Sequence, residues 1–195
     1  MKLALIKSGV MGSGGYKIRN KEAMHFLTWA VVEWVDVFTR PLYKNIFVDS
    51  VKHCQVEKGL LVHGWCLMTN HFHMIASAKN QNTSGILRDL KTFTSKKIVS
   101  AIQNNREESR REWMLDIFHK AGQENSRNQE HQFWRQDNHP KEVYSMPFTL
   151  QKLNYIHNNP VAAGIVLEPE HYLYSSAKDY VFEKKCGLID IEYIM

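Results

Sequence analysis

Cysteine is scarce in this 195-residue chain: Cys54, Cys66 and Cys186 are the only three, and no two stand in a CxxC spacing. That argues against both a disulfide framework and a zinc ribbon, and makes a reduced, intracellular protein the expectation. Long apolar runs are missing too. None approaches the roughly 20 residues of a membrane span, and the N-terminal Leu3-Ala-Leu-Ile6 run is too short to read as a secretory signal. Charge of one sign is barely in excess, with 25 Lys+Arg against 20 Asp+Glu and a net charge of +5. Such a balance is compatible with an anionic partner and does not identify one. Internal repeats are absent, and the glycines before residue 16 are the only low-complexity feature. What is present is apolar. A 44% hydrophobic fraction with five Trp rules out a mainly disordered chain, and the length suits one domain with an insertion.

The order of elements follows from periodicity. Residues 1–22 read as a flexible leader or tag-like segment. Met24 to Val35, rich in β-branched and aromatic residues, reads as a strand buried on much of both faces. Leu42 to Lys58 has helical spacing, with Gly59 as its stop. Leu60 to Met68 and His71 to Ala78 read as two strands around a turn at Thr69-Asn70. A helix from Thr83 or Ser84 to about Asn105 buries Leu87, Leu90, Thr94 and Ile98, and carries Arg88, Lys91, Lys96 and Lys97 on its other face. The charged stretch 106–130 reads as a helix and loop inserted at the edge of the core. Residues 131–136 read as a further strand, and Trp134 as a core residue. Pro147 opens a helix expected to end near Asn159, because Pro160 follows. The domain is thus expected over 23–182, followed by a tail over 183–195. The expected fold class is α+β: a ferredoxin-like antiparallel sheet with helices packed on one face, plus the inserted helical segment.

Two short patterns could carry chemistry. In His71-Phe72-His73, side chains two apart on a strand point to the same face, so both imidazoles can converge on one divalent cation. Such a pair needs a third ligand, and two ordinary core histidines have the same spacing. Position 75 is Ile, so the pair does not continue as a hydrolase zinc pattern. In Asn154-Tyr155-Ile-His-Asn-Asn159-Pro160, Tyr155 and Asn159 lie one above the other on a helix. A tyrosine can attack a phosphodiester when a nearby cation polarises the phosphate. An amphipathic helix with a packed Tyr and a terminal Asn fits equally well, and spacing alone does not choose.

The longer strings do choose. Leu67-Met-Thr-Asn-His-Phe-His-Met-Ile75 and Tyr155-Ile-His-Asn-Asn-Pro-Val-Ala-Ala-Gly-Ile-Val166 occur in this order, with Asp89-Leu-Lys-Thr-Phe-Thr-Ser-Lys-Lys97, Phe133-Trp-Arg135 and Tyr174-Ser-Ser-Ala177 as further matching stretches. From about Met24 to Tyr180 the chain resembles the HUH (His-hydrophobic-His) single-strand DNA transposases, in the branch called REP-associated tyrosine transposases. The resemblance implies that His71 and His73 are the metal pair, that Tyr155 is the nucleophile, and that Asn159 is a third polar ligand. It also implies Mg²⁺ or Mn²⁺ as cofactor. The activity it implies is cleavage and rejoining through a 5′-phosphotyrosine intermediate. The implied partner is single-stranded or hairpin DNA, and the protein a cytoplasmic, nucleoid-associated monomer or homodimer with no membrane contact.

Arg88, Lys91, Lys96, Lys97 and Arg135 are the candidates for holding the strand, with Arg110 and Arg111 behind them; phosphate contacts of this kind supply affinity without choosing sequence. His63, His119 and His139 receive no role. Two departures from the family pattern stand out: the 106–130 segment is longer than in compact members, and Asn159 adjoins a proline, which disfavours helical geometry at that residue. The alternatives are a non-catalytic nucleic-acid-binding domain, which would not need Tyr155, and a metal-dependent hydrolase, which would release a free 5′-phosphate and for which no general base is evident.

Overall fold

The protein is described here from a computed structural model, which covers residues 18, 20–125, 130–136 and 140–194. Most of the expected leader, residues 126–129 of the expected insertion, and His139 lie outside the described residues. Four strands form one antiparallel sheet in the order β2-β3-β1-β4: β1 His25–Ala30, β2 Leu60–Leu67, β3 His71–Ala78 and β4 Lys141–Glu142. Helix α1 (Pro41–Lys58) joins β1 to β2, and α2 (Thr83–Asn104) follows β3. Then come α3 (Arg111–Gln123), α4 (Met146–Ala162) and the short α5 (Ala177–Val181). This is the α+β class expected from the sequence. Among the described residues no helix is long and apolar enough to cross a membrane.

The alternation of β3 divides the molecule. Phe72, Met74, Ala76 and Ala78 enter the larger core, which α1 and α2 fill with Tyr43, Phe47, Val51, Leu90 and Ile98. Ile75 enters a smaller core on the opposite face with Phe26, Cys66, Leu153 and Ile156. The helices packed on one face are therefore α1 and α2, while α4 lies across the other face. Gly64 of β2 makes this close approach possible, since a Cβ there would stand 2.4 Å from Leu153 Cδ1. At the end of α1, Gly59 adopts φ 71° and closes the helix in the left-handed conformation that glycine tolerates.

Several boundaries differ from expectation. The first strand ends at Ala30 and gives way to a 3-10 turn over Val32–Trp34, in which Glu33 and Trp34 have φ of 49° and 54°. The strand expected at 131–136 is reduced to a single bridge between Val31 and Trp134, and Trp134 is buried in the larger core. Helix α4 does not stop at Asn159 but runs through Pro160 to Ala162. Pro160 falls in the last turn, so the helix loses the bond to the Ile156 carbonyl and ends two residues later. The stretch after Gly164, expected as loop, contains α5, and its residues 174–176 run along the outer edge of β2 through Leu67 N–H to Tyr174 O and Ser176 N–H to Trp65 O. Further on, Ile189 and Ile191 are buried in the larger core.

Candidate active site

The register between β1 and β3 builds the floor of a pocket. Thr28 is the cross-strand partner of His73, and Ala30 that of His71. Directly paired residues of antiparallel strands point to the same face. Thr28 Oγ1 accordingly lies 2.8 Å from His73 Nδ1. Asn70, in the turn before β3, accepts a hydrogen bond from His71 Nδ1 at 2.7 Å. Both imidazoles are thus held by Nδ1, and both leave Nε2 to the pocket. The rings stand 4.8 Å apart by centroid, at 77° to each other.

Helix α4 forms the wall. Ser145 caps it by accepting from Phe148 N–H, and Pro147 occupies its first turn. The helix brings the Tyr155 ring to 5.2 Å from His73 and 6.1 Å from Phe26. One turn on, Asn159 Nδ2 donates to the Tyr155 carbonyl at 2.7 Å. With its NH₂ committed to a carbonyl, the amide turns its oxygen away from the helix and toward the histidines, where it opposes the lowering of both imidazole pKa values. Phe26, Thr28, His71, His73, Tyr155 and Asn159 come from one chain, and they line a cavity of about 440 Å³ together with Trp34, Lys141 and Lys152.

The electrostatics of the pocket favour an anion beside a cation site. Burial holds His71 below its ordinary value and pushes His73 down to about 3, the latter helped by its neighbour His71. Both rings are therefore neutral at pH 7, the form that offers a lone pair. His73 is only 3% exposed, and its Nε2 is buried without a hydrogen-bond partner; the influence of Asn159 on it falls short of a bond. An orphaned ring nitrogen facing a second imidazole and an amide oxygen is what a divalent cation would satisfy, and the hydrogen bonds at Nδ1 are those of metal-ligating histidines. Among the described residues no group of three or more His, Cys, Asp or Glu is gathered to hold a metal, so the third protein ligand would be the Asn159 amide. Among the described residues no carboxylate lines the cavity, and the cations that do are Lys141 and Lys152. The Lys152 ammonium lies 5.2 Å from the centre of the Phe26 ring and 5.9 Å from that of Tyr155.

The structure therefore gathers His71, His73, Tyr155 and Asn159. It does not gather the basic helix. Arg88, Lys91, Lys96 and Lys97 are on α2, which packs on the opposite face of the sheet. Arg88 reaches Asp89, Lys91 donates to the Arg135 carbonyl at 2.7 Å, and Lys96 and Lys97 border a groove between α1 and α2. Arg135 stands at the pocket rim, with its guanidinium over the Trp34 ring. Arg110 is engaged by Glu108 and Arg111 by Glu112. His63 bridges Ser77 and the Glu192 carbonyl, and His119 bonds the Glu130 carbonyl; both are structural. Sequence reasoning missed Thr28, Asn70, Lys141, Lys152 and Trp34. Four of these reach the site through strand register and turns. Lys152, one turn before Tyr155 on the same helix, carried a signal in its i, i+3 spacing.

Comparison with known proteins identifies the family and the fold. The family model described as transposase, IS200-like, matches residues 21–126. Among solved structures, a REP-associated tyrosine transposase bound to a REP hairpin superposes with a TM-score of 0.59 at 15% identity, over 95% of this chain and 92% of that one. At that identity the likeness is one of fold. A crystal structure described as a candidate transposase from Deinococcus radiodurans R1 aligns at 16% identity and a TM-score of 0.44, over 76% of this chain and 97% of that one, and carries no further argument. No curated protein matches the sequence.

Proposed function

On the premise that this chain belongs to the IS200-like transposase family, we propose that it cleaves and rejoins single-stranded DNA through a covalent bond to Tyr155, at strands that form hairpins. One observation supports this above the rest: a half-exposed tyrosine stands 5.2 Å by ring centroid from a buried histidine whose Nε2 has no partner. The hairpin enters by analogy, since the structurally similar transposase was solved bound to one.

His71 Nε2, His73 Nε2 and the Asn159 amide oxygen would hold a divalent ion, Mg²⁺ or Mn²⁺. Bound there, it would withdraw charge from the scissile phosphate. Lys141 and Lys152 supply fixed positive charge beside the same phosphate, and no carboxylate among the described residues lining the cavity competes with it. Tyr155 of helix α4 lines the cavity, so nucleophile and phosphate would meet there without a search. The Tyr155 oxygen forms a bond to phosphorus as the bond to the 3′ oxygen breaks. The tyrosine gives up its proton, and the departing oxygen gains one as a 3′-hydroxyl. One phosphodiester replaces another, so no ATP is consumed and a second 3′-hydroxyl can reverse the step onto a new strand. Arg88, Lys91, Lys96, Lys97 and Arg135 contribute affinity for phosphates away from the reacting atoms.

The test is an adduct assay with a pool of hairpin-bearing single strands in Mn²⁺. A band that resists denaturation and disappears in Tyr155→Phe is the expected result. Binding without any adduct would favour a non-catalytic DNA-binding domain, and nicked product carrying a free 5′-phosphate would favour a hydrolase; either would overturn the proposal.

A further inference from the structure

The pocket rim holds one side chain that the cleavage chemistry leaves without a task. Trp34 is 51% exposed, although its ring stands edge-on to His71 with centroids 5.8 Å apart. Its backbone is left-handed at φ 54°, directly after Glu33 at φ 49°. Bulky residues avoid that region, and strain of this kind collects at functional sites. Burial does not explain it, because the turn leaves half of an indole in water.

The turn is nevertheless firmly fixed. Trp34 N–H donates to the Val31 carbonyl at 3.1 Å, and Val32 N–H to the Phe133 carbonyl at 2.9 Å. Asn70 Nδ2 donates to the Trp34 carbonyl at 3.2 Å, while Oδ1 of the same amide accepts from His71 Nδ1 at 2.7 Å. One side chain thus sets the position of Trp34 and also decides which nitrogen of His71 faces the pocket. The Arg135 guanidinium lies 5.7 Å from the centre of the Trp34 ring, and the Arg135 backbone N–H is tied to the Ala30 carbonyl at 2.8 Å. A half-exposed indole, steadied by a guanidinium and registered to a metal-site histidine, has the chemistry of a stacking platform for unpaired bases.

We propose that Trp34, steadied by Arg135, stacks on the unpaired base that adjoins the scissile phosphate and so sets that phosphate over His71, His73 and Tyr155. This rests on the single-strand reading above. Every base has a π-face, so the platform fixes the register of the strand and tolerates its sequence. It also explains why a strained tryptophan is retained where glycine would fit the backbone better.

The experiment measures binding of short single strands by full-length Tyr155→Phe protein, in which no covalent product forms. Trp34→Gly suits the left-handed turn, is expected to melt no lower than its parent, and should bind roughly 10- to 100-fold more weakly. Trp34→Leu, which keeps apolar cover without the ring, should lose a similar factor, and Trp34→Phe should lose less than about 3-fold. An abasic site is then moved along the strand. At one position it should weaken binding to the Trp34 protein by about the same factor and add no further loss in Trp34→Gly, the non-additivity that marks a direct partner. Unchanged binding by both Trp34→Gly and Trp34→Leu, or additive losses at every abasic position, would overturn the platform. A non-additive position, together with no adduct from the protein that keeps Tyr155, would sink the cleavage reading and leave the platform standing. An adduct with no such position would do the reverse.

Discussion

Phe72 and His73 are consecutive residues of β3, both almost wholly buried, and they face opposite sides of the same sheet. On the Phe72 side the packing is aromatic and aliphatic. Its ring meets Phe47 at 4.5 Å and Trp29 at 6.0 Å, within the larger core that α1 and α2 close. On the His73 side the small cluster of Phe26, Ile75, Leu153 and Ile156 reaches His73 through the stacked Phe26 ring, yet one ring nitrogen of His73 has no partner. One face minimises free energy; the other leaves an unsatisfied group at the point where chemistry is proposed. The strand puts the two tasks a single residue apart, so the packed face holds rigid what the open face presents.

The sharpest way to test this contrast is to cut each face at its centre. Phe72→Ala should cost about 3–5 kcal/mol in denaturant unfolding, the range for an aromatic removed from a close-packed core. His73→Leu should change stability by less than about 1 kcal/mol, because an apolar side chain of similar volume removes an unsatisfied buried nitrogen, yet it should abolish Mn²⁺ binding. Equal losses of stability in the two variants would show that the faces do not differ as described.

A buried carboxylate provides the next comparison. Glu108 is 3% exposed, but both its oxygens are paired, with Arg110 Nε at 3.0 Å and Arg40 Nε at 2.6 Å. The Arg110 hydrogen bond, then that of Arg40, holds its carboxyl down at about 2 against burial. A carboxyl depressed in the folded state stabilises it above its unfolded value, and that stability is lost as pH falls. The loss should run from about pH 4.5 to pH 2 and reach at most about 3 kcal/mol. Urea midpoints measured across that range should fall in the parent protein and stay flatter in Glu108→Gln. A parent whose midpoint holds steady to pH 2 would contradict the pairing. His73 and Glu108 are both buried polar groups, and of the two only the one that keeps an unpaired atom is a candidate for chemistry.

The sequence made one of these faces easier to read than the other. Both helices of the packed face were legible from 3.6-residue periodicity and from the Gly59 stop, and the strands around Thr69-Asn70 from their β-branched and aromatic residues. His71, His73, Tyr155 and Asn159 were legible as spacings, but only the longer strings around them chose between catalysis and packing. What could not be read is what depends on register. Thr28 reaches His73 because β1 pairs with β3 at that residue, and nothing within either strand states that offset. Trp34 was placed in a strand because its neighbours are β-branched, while its left-handed backbone comes from the turn that carbonyls of other segments hold. Helix α4 was expected to end before Pro160, because a general rule about proline was applied at a position where the helix was already ending.

Register also makes the two faces separable by smaller changes. Gly64→Ala places a Cβ against Leu153 Cδ1, the end of a side chain that can shift at a cost of about 1 kcal/mol. Because Leu153 is on the helix that carries Tyr155, adduct formation should fall further than stability does. Leu153→Val in the same chain should restore part of both. A Gly64→Ala protein with full adduct yield would show that α4 tolerates displacement without moving the nucleophile.

The smallest expected change concerns the hydrogen bond that aims His73. Thr28→Val keeps the shape and removes the hydroxyl 2.8 Å from His73 Nδ1. Stability should move by less than about 0.5 kcal/mol, since Thr28 is only partly buried and water can take over the lost partner. Mn²⁺ affinity measured calorimetrically should fall about 10-fold, the lower end for the loss of a group that orients a metal-bound histidine. A ring without that anchor can rotate, or place its proton on Nε2, and either removes the lone pair from the pocket. If affinity is unchanged, Thr28 only fills space and His73 is aimed by the packing of Phe26, whose ring stacks on it at 5.8 Å. The open face would then be organised by the same apolar contacts as the closed one.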